Sequence, residues 1–180
     1  MVNLKDSRLQ LTLLGSLGVL SGLIIRNSAE QLKITGDFKT VDSFLSVYVA
    51  PVVFVVGWAI IAYSVALPRS AKGLIGKFPL DRKTIQAFVA VIGIVVSIYQ
   101  MRQSIATGVQ TNMIYPSMYV AGWLLLGHTV GSRYGYLSSL LALLATILVL
   151  PFQRANCIVD GPGMPMLTIA FVMLAYANSQ

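Results

Sequence analysis

Long apolar stretches alternate with short charged segments along the whole of this chain. Runs without Asp, Glu, Lys or Arg cover residues 9–25, 43–68, 84–101, 113–131 and 134–153. A membrane-spanning helix needs roughly 20 mostly apolar residues, with about 17 as the lower limit. These five runs therefore predict five spanning helices. A sixth run at 163–178, which overlaps the segment Gly-Pro-Gly-Met-Pro, predicts a short sixth helix that spans, lies against the others or re-enters.

The fold class predicted from this pattern is all-α: a polytopic transmembrane bundle of six helices in one membrane domain, residues 1–180. Composition agrees, since 56% of the residues are hydrophobic and 11% are charged, against about 25% charged in soluble domains. Such a chain is too apolar to be disordered, and its only cysteine, Cys157, excludes a disulfide scaffold. The net charge is +7, but the chain is too apolar for a typical nucleic-acid-binding surface. We therefore expect no specific nucleic acid as a partner.

Basic residues predict how the chain is oriented in the membrane. With six spans, eight Lys and Arg residues fall on the side of the N-terminus and five on the other side. The difference comes from a basic loop between the second and third spans, which predicts that this loop and the N-terminus are cytoplasmic. The loop also suits anionic headgroups or an acidic partner. Its basic residues are Arg69, Lys72, Lys77, Arg82 and Lys83.

Two segments of the chain resemble each other at an offset of 65 residues. Pro51-Val-Val-Phe-Val-Val-Gly57-Trp58 aligns with Pro116-Ser-Met-Tyr-Val-Ala-Gly122-Trp123, so both tryptophans occupy one place in the pattern. Because the second and fourth spans run in the same direction, this would be a parallel repeat about an axis along the membrane normal. A duplicated helix in a bundle without transport is favoured. The alternative is a ligand face formed by Trp58, Tyr63, Trp123 and His128.

Residues that carry chemistry are scarce in the predicted spans. Intramembrane ionisable side chains are typical of pumps and proton relays, and His128 is the only candidate inside a span. One His and one Cys do not make a metal site, and Cys157 is interpreted as an unpaired loop thiol. We therefore expect no catalytic residue, no metal, no cofactor and no enzymatic activity.

Small residues give the clearest interaction signal. Glycines recur at spacings that let neighbouring helices approach closely in lipid, and packing within the chain is favoured over packing between chains. The helix-packing candidates are Gly15, Gly18 and Gly22 in the first span, Gly57 and Gly122 in the repeat, and Gly127 and Gly131 at the end of the fourth span.

In general character the chain resembles the membrane-embedded minor structural proteins of large icosahedral DNA viruses such as the chloroviruses. It shares with them small size, many spans, glycines and methionines, and no catalytic constellation. The resemblance implies helices in a virion inner membrane and loops that contact capsid or core proteins, here residues 26–42 and 69–83. Pro and Trp in two helices also resemble the tryptophan-rich sensory/translocator family. That family's Pro-Pro-Trp motif is missing here, so no ligand residue is carried over.

The function expected from the sequence is structural. The chain would be a non-enzymatic component of a larger membrane-associated assembly, such as a minor capsid component that links a viral inner membrane to the capsid. Its expected partners are the lipid bilayer and other protein subunits. The alternative is a small-molecule transporter or ligand-binding protein that uses the repeat around Trp58 and Trp123, with an unknown ligand.

Overall fold

The structure, a computed structural model, describes residues 6–35, 44–67, 81–107, 114–149 and 163–180. Within these ranges the chain is all helical. The helices are α1 (Ser7–Thr35), α2 (Ala50–Ala66, preceded by a π-helical turn at Leu45–Val49), α3 (Arg82–Thr107), α4 (Ile114–Val130), α5 (Arg133–Val149) and α6 (Gly163–Ser179). The predicted all-α fold with six helices is confirmed.

The helices form a closed ring. Each helix packs on its neighbour in the chain, and α6 returns to pack on α1. The most extensive contacts lie within the pairs α1–α2, α3–α4 and α5–α6, so the ring consists of three helical hairpins. The even-numbered helices therefore run in one direction and the odd-numbered helices in the other.

The odd-numbered helices start alike. A side-chain oxygen of Asp6 accepts a hydrogen bond from the backbone N–H of Arg8 at 2.8 Å, at the start of α1. Asp81 does the same for the N–H of Thr84 at 2.8 Å in α3, and Ser132 for the N–H of Gly135 at 3.2 Å in α5. Asp and Ser are strong N-cap residues because they satisfy donors that the helix itself leaves unpaired.

The burial pattern differs from that in a soluble helical protein mainly at the outer surface, which is apolar, while the core is apolar with small polar residues at the helix contacts. Several hydroxyl and amide side chains are buried between the helices, whereas many Leu, Ile and Val side chains face outwards. A soluble surface rarely exposes so large an apolar area, while small and polar residues at helix contacts are typical of membrane bundles. Buried polar residues include Thr12, Ser64, Ser97, Ser138, Ser139 and Asn178; exposed apolar residues include Leu14, Leu17, Val52, Val89, Ile92, Leu140, Leu144 and Val172.

Among the residues that the structure describes, three helical segments are long and apolar enough to cross a membrane, Ser7–Arg26, Val47–Ala66 and Arg82–Met101. The helices α4, α5 and α6 have 17 residues each, which corresponds to a length of about 25 Å at 1.5 Å per residue. Whether these three shorter helices also cross the membrane stays a prediction of the sequence.

Two predicted loops are partly helical. Residues 27–35, expected in the loop after the first span, continue α1, and residues 103–107, expected in the loop after the third span, continue α3. Both continuations are free of proline and glycine up to Gly36 and Gly108, so nothing in them breaks a helix when the apolar run ends. The basic loop is described only at Arg82 and Lys83, in the first turn of α3; Arg69, Lys72, Lys77 and Cys157 lie outside the described residues.

Candidate functional site

Glycines bring α1 and α2 into backbone contact. A methyl group added to Gly57 would lie 2.6 Å from the carbonyl oxygen of Gly15 and 2.9 Å from the carbonyl carbon of Gly18. One added to Gly22 would lie 2.9 Å from the carbonyl oxygen of Ala50. The first-span glycines and Gly57 thus form a single helix contact inside the chain.

The other predicted glycines divide into two groups. Gly122 faces α3, where an added methyl group would lie 2.8 Å from the carbonyl oxygen of Ala90, and Gly127 faces Gly135 of α5 at 2.9 Å. Gly131 was predicted to pack as well, but it lies in the turn after α4 with φ of 73°. A positive φ favours glycine for the backbone conformation that ends a helix, so the role predicted for Gly131 is corrected to a turn.

Aromatic side chains fill the centre of the ring. The Trp58 and Trp123 rings meet edge to face, with centroids 5.6 Å apart, and Phe171 contacts them at 5.7 and 6.0 Å. All three side chains are at most 2% exposed. Within the described part of the chain, the buried indole N–H groups of both tryptophans have no hydrogen-bond acceptor, an arrangement that costs free energy. The tryptophans of the repeat therefore contact each other as packing residues.

Phe171 reveals a third copy of the repeat. Aligned on this residue, α6 has Ala170 where the other two copies have Gly57 and Gly122. The Ala-Tyr pair at 175–176 also matches Ala62-Tyr63 of α2. Sequence reasoning missed this copy because Phe replaces Trp and Pro165 is one residue out of step. Each hairpin thus contributes one large aromatic residue to the centre.

The other two residues of the predicted ligand face are not in this centre. His128 is exposed, and its Nδ1 bonds to the hydroxyl of Tyr136 at 2.8 Å. Tyr63 is only partly buried. The structure thus brings together the two tryptophans of the predicted face, whereas His128 lies on the outside of the bundle near one end.

A buried polar cluster joins α1, α2 and α6 at the end of the bundle that holds the N-terminal residues of α1. Arg8 donates from Nη2 to Oδ1 of Asn178, and Nδ2 of Asn178 donates to Thr12 Oγ1 at 3.0 Å. Thr12 Oγ1 also pairs with Ser64 Oγ at 2.8 Å. Arg8 is 4% exposed and Asn178 is 1% exposed.

Sequence analysis missed this cluster and placed Arg8 at the flank of the first span. The position is corrected: Arg8 is buried, because its guanidinium donates to the side-chain oxygen of Asn178 on α6 and to the backbone carbonyl oxygen of Ser64 on α2. The available signal was the spacing of Arg8, Thr12 and Ser16, which recur every four residues and so share one face of α1. Their partners at 64 and 178 are too far apart in the chain to be paired from one sequence.

At the opposite end of the bundle, α1, α2 and α3 enclose a half-open cleft of about 370 Å³. Its walls are mostly apolar, with Leu23, Phe54, Val95 and Ile98 among them, and Arg26, Tyr99 and Gln103 add polar groups to the lining. A cavity of roughly 300–1,000 Å³ with mostly apolar walls and few polar groups is typical of ligand sites. This cleft is separate from the face predicted around the repeat.

Among the described residues, no group of three or more His, Cys, Asp and Glu side chains is placed to hold a metal ion. No family model, curated protein or solved structure matches the chain.

Proposed function

We propose that this chain is a non-enzymatic integral membrane protein with six membrane-spanning helices that serves as a structural component of a larger assembly. The observation that carries the proposal is the packing of Trp58, Trp123 and Phe171 in the ring centre. Transport along the repeat would need a polar passage at this place. Packed aromatic rings instead suit a bundle that functions by contacting other proteins through its outer surface.

The part of α1 that follows the span is the segment that we propose for such contacts. The span in α1 ends at Arg26, and the helix continues through residues 27–35. Nine further residues extend about 14 Å at 1.5 Å per residue. This continuation belongs to the segment 26–42 that the sequence predicts as a docking loop, and a helix presents a partner with a more ordered surface than a loop.

We also propose on which side of the membrane the helix ends lie, and in which kind of membrane the protein resides. The hydrogen bonds among Arg8, Ser64 and Asn178 support the placement of the start of α1 and the ends of α2 and α6 on the same side of the membrane. The excess of basic residues on that side supports a cytoplasmic location. The inner membrane of a large icosahedral DNA virus is the proposed setting, supported by the general sequence character described above.

The test is gentle solubilisation of the full chain from its native membrane, followed by quantitative mass spectrometry of what co-purifies. The variant Gln31→Pro interrupts the helix beyond the span, because proline removes a helical hydrogen bond and clashes with the preceding turn. Gln31→Ala is the matched control that keeps the helix. We expect fixed-stoichiometry protein subunits with the wild type and with Gln31→Ala, and their loss with Gln31→Pro.

Two results would contradict the proposal. The first is a wild-type protein that purifies alone or with only a small molecule, which would favour the ligand-binding alternative. The second is retention of all partners by Gln31→Pro, which would remove this part of α1 from the interface. As a control for folding, the melting temperature of each variant in detergent is compared with that of the wild type; equal values show that the bundle is intact.

A further inference from the structure

The cleft between α1, α2 and α3 changes from apolar to polar along the bundle axis. The apolar, span-length segment of α1 ends at Arg26 and that of α3 ends at Met101, so in a membrane Arg26 and Gln103 would lie at the edge of the hydrocarbon layer. Leu23, Phe54 and Val95 line the same cleft on the inner side of these positions. A ligand that fits has an apolar chain and a polar or anionic head at the membrane surface.

The helix that forms one wall is irregular beside the cleft. The N–H of Ala50 bonds to the carbonyl oxygen of Leu45, five residues earlier, at the end of the π-helical turn. Pro51 follows, lines the cleft, and has no N–H to donate. Single π turns within helices occur frequently at functional sites, and this one ends at Ala50, which lines the cleft.

The three seams between hairpins differ in how they close. The α4–α5 seam is bridged by Ser139, whose hydroxyl donates to the carbonyl oxygen of Trp123 at 2.7 Å, and by the pair Tyr119 and Thr146 at 2.7 Å. The α6–α1 seam is bridged by Asn178. The α2–α3 seam instead opens into the cleft at one end, although the three hairpins are built alike.

We propose that this cleft binds one acyl chain of an anionic phospholipid, with the headgroup phosphate at Arg26. A phospholipid is favoured because the cleft is half open, its walls are apolar along the span-length segments, and its cationic group, Arg26, lies where the span-length segment of α1 ends. The inference rests on the membrane insertion included in the proposed function, but it is independent of any protein partner.

The cleft can be tested by native mass spectrometry of the full chain after delipidation in detergent. The probes are dioleoyl-phosphatidylglycerol, dioleoyl-phosphatidylcholine and oleate. Val55→Phe fills the cleft, because Val55 lines it. Val56→Phe is the matched control, since both valines are 50% exposed and Val56 is not part of the lining. Arg26→Gln removes the charge, and Arg133→Gln, on an exposed residue at the other end of the bundle, is its control.

For the wild type we expect one tightly bound phosphatidylglycerol, with about fivefold preference over phosphatidylcholine from one basic residue at the surface. Val55→Phe should weaken binding at least about tenfold, since it occupies the volume of the chain, while Val56→Phe should not. Arg26→Gln should bring the preference close to one, and Arg133→Gln should preserve it.

Equal binding by Val55→Phe and Val56→Phe would overturn the site, and an unchanged headgroup preference in Arg26→Gln would overturn the role of Arg26. Oleate binding as tightly as phosphatidylglycerol would overturn the choice of a phospholipid in favour of a free fatty acid. If Val55→Phe fails to fold, Ile98→Phe, on the facing wall of the cleft, takes its place. Loss of protein partners in the co-purification experiment leaves all these outcomes unaffected.

Discussion

At Gly57 the backbones of α1 and α2 approach so closely that a methyl group has no room. The neighbouring atoms belong to the backbone at Gly15, Gly18 and Val19, all within 3.0 Å of an added Cβ. A flexible side chain can move aside, whereas backbone can yield only if the helix shifts. This contact explains the recurring glycines of the first span and Gly57, because it requires glycine on both helices.

We expect Gly57→Ala to destabilise the bundle by about 1–3 kcal/mol, the usual cost of overpacking. Gly93→Ala is the matched control, because its nearest non-local atom, the carbonyl oxygen of Met118, is 3.7 Å away. There alanine should be neutral or stabilising by up to about 1 kcal/mol through its helix propensity. Thermal unfolding in detergent measures both, and equal melting temperatures would show that the α1–α2 contact tolerates a side chain.

At the scale of elements, the ring depends on contact between the first and last helices. Asn178 brings α6 to α1 by accepting a hydrogen bond from Arg8 and donating to Thr12. A buried donor or acceptor that loses its partner costs its desolvation free energy. The cluster therefore couples the end of the chain to its beginning.

We expect Asn178→Ala to lower the free energy of unfolding by about 1–3 kcal/mol, because Arg8 and Thr12 lose a buried partner. The control is Thr168→Ala in the same helix, an exposed residue whose hydroxyl bonds only within α6, to the carbonyl oxygen of Met164 at 2.9 Å. Chemical unfolding in detergent distinguishes them. Similar losses for both variants would argue that the cluster does not hold the ring closed.

The cap of α3 predicts a dependence on pH. The hydrogen bond from the backbone N–H of Thr84 lowers the pKa of Asp81 below its ordinary value of 3.8. A lowered pKa in the folded state means that the ionised cap stabilises the helix above that ordinary value. The contribution is lost as the pH falls through the lowered pKa.

We expect the melting temperature of the wild type to fall relative to that of Asp81→Asn between about pH 6 and pH 3. Asparagine caps a helix about as well as aspartate but does not titrate, and the other acidic residues are common to both proteins. If the melting temperatures of the wild type and Asp81→Asn change in parallel over this pH range, ionisation of the Asp81 cap contributes nothing measurable to stability.

Features that depend on consecutive residues could be predicted from the sequence, whereas features that depend on contacts between distant residues could not. Apolar runs predicted all six helices, because span length is a property of consecutive residues. The continuation through residues 27–35 was missed because leaving the apolar layer does not end a helix without a breaker. The cluster of Arg8, Ser64 and Asn178 was missed because it depends on which helices become neighbours, and the cleft depends on side-chain shape as well.

Across the whole molecule, the repeated pattern relates the three even-numbered helices, α2, α4 and α6, rather than two helices. Each even-numbered helix places a small residue followed by a large aromatic one at the same height, and the aromatic residues meet in the centre. An arrangement of this kind requires all three hairpins to share one direction along the axis. If α1, α2 and α3 cross the membrane, α4, α5 and α6 are carried across with them.

The side of the membrane on which each segment lies tests this arrangement. Three helices separate Asp81 from Cys157, the only cysteine in the chain. If all six helices cross, these positions lie on opposite sides. In sealed vesicles an impermeant maleimide should label wild-type Cys157 from one side. The double variant Asp81→Cys, Cys157→Ser should be labelled from the other side, and so should Asp6→Cys, Cys157→Ser. The variant Cys157→Ser alone is the unlabelled control. Labelling of positions 81 and 157 from the same side would mean that an even number of the intervening helices crosses, and the six-span arrangement would be wrong.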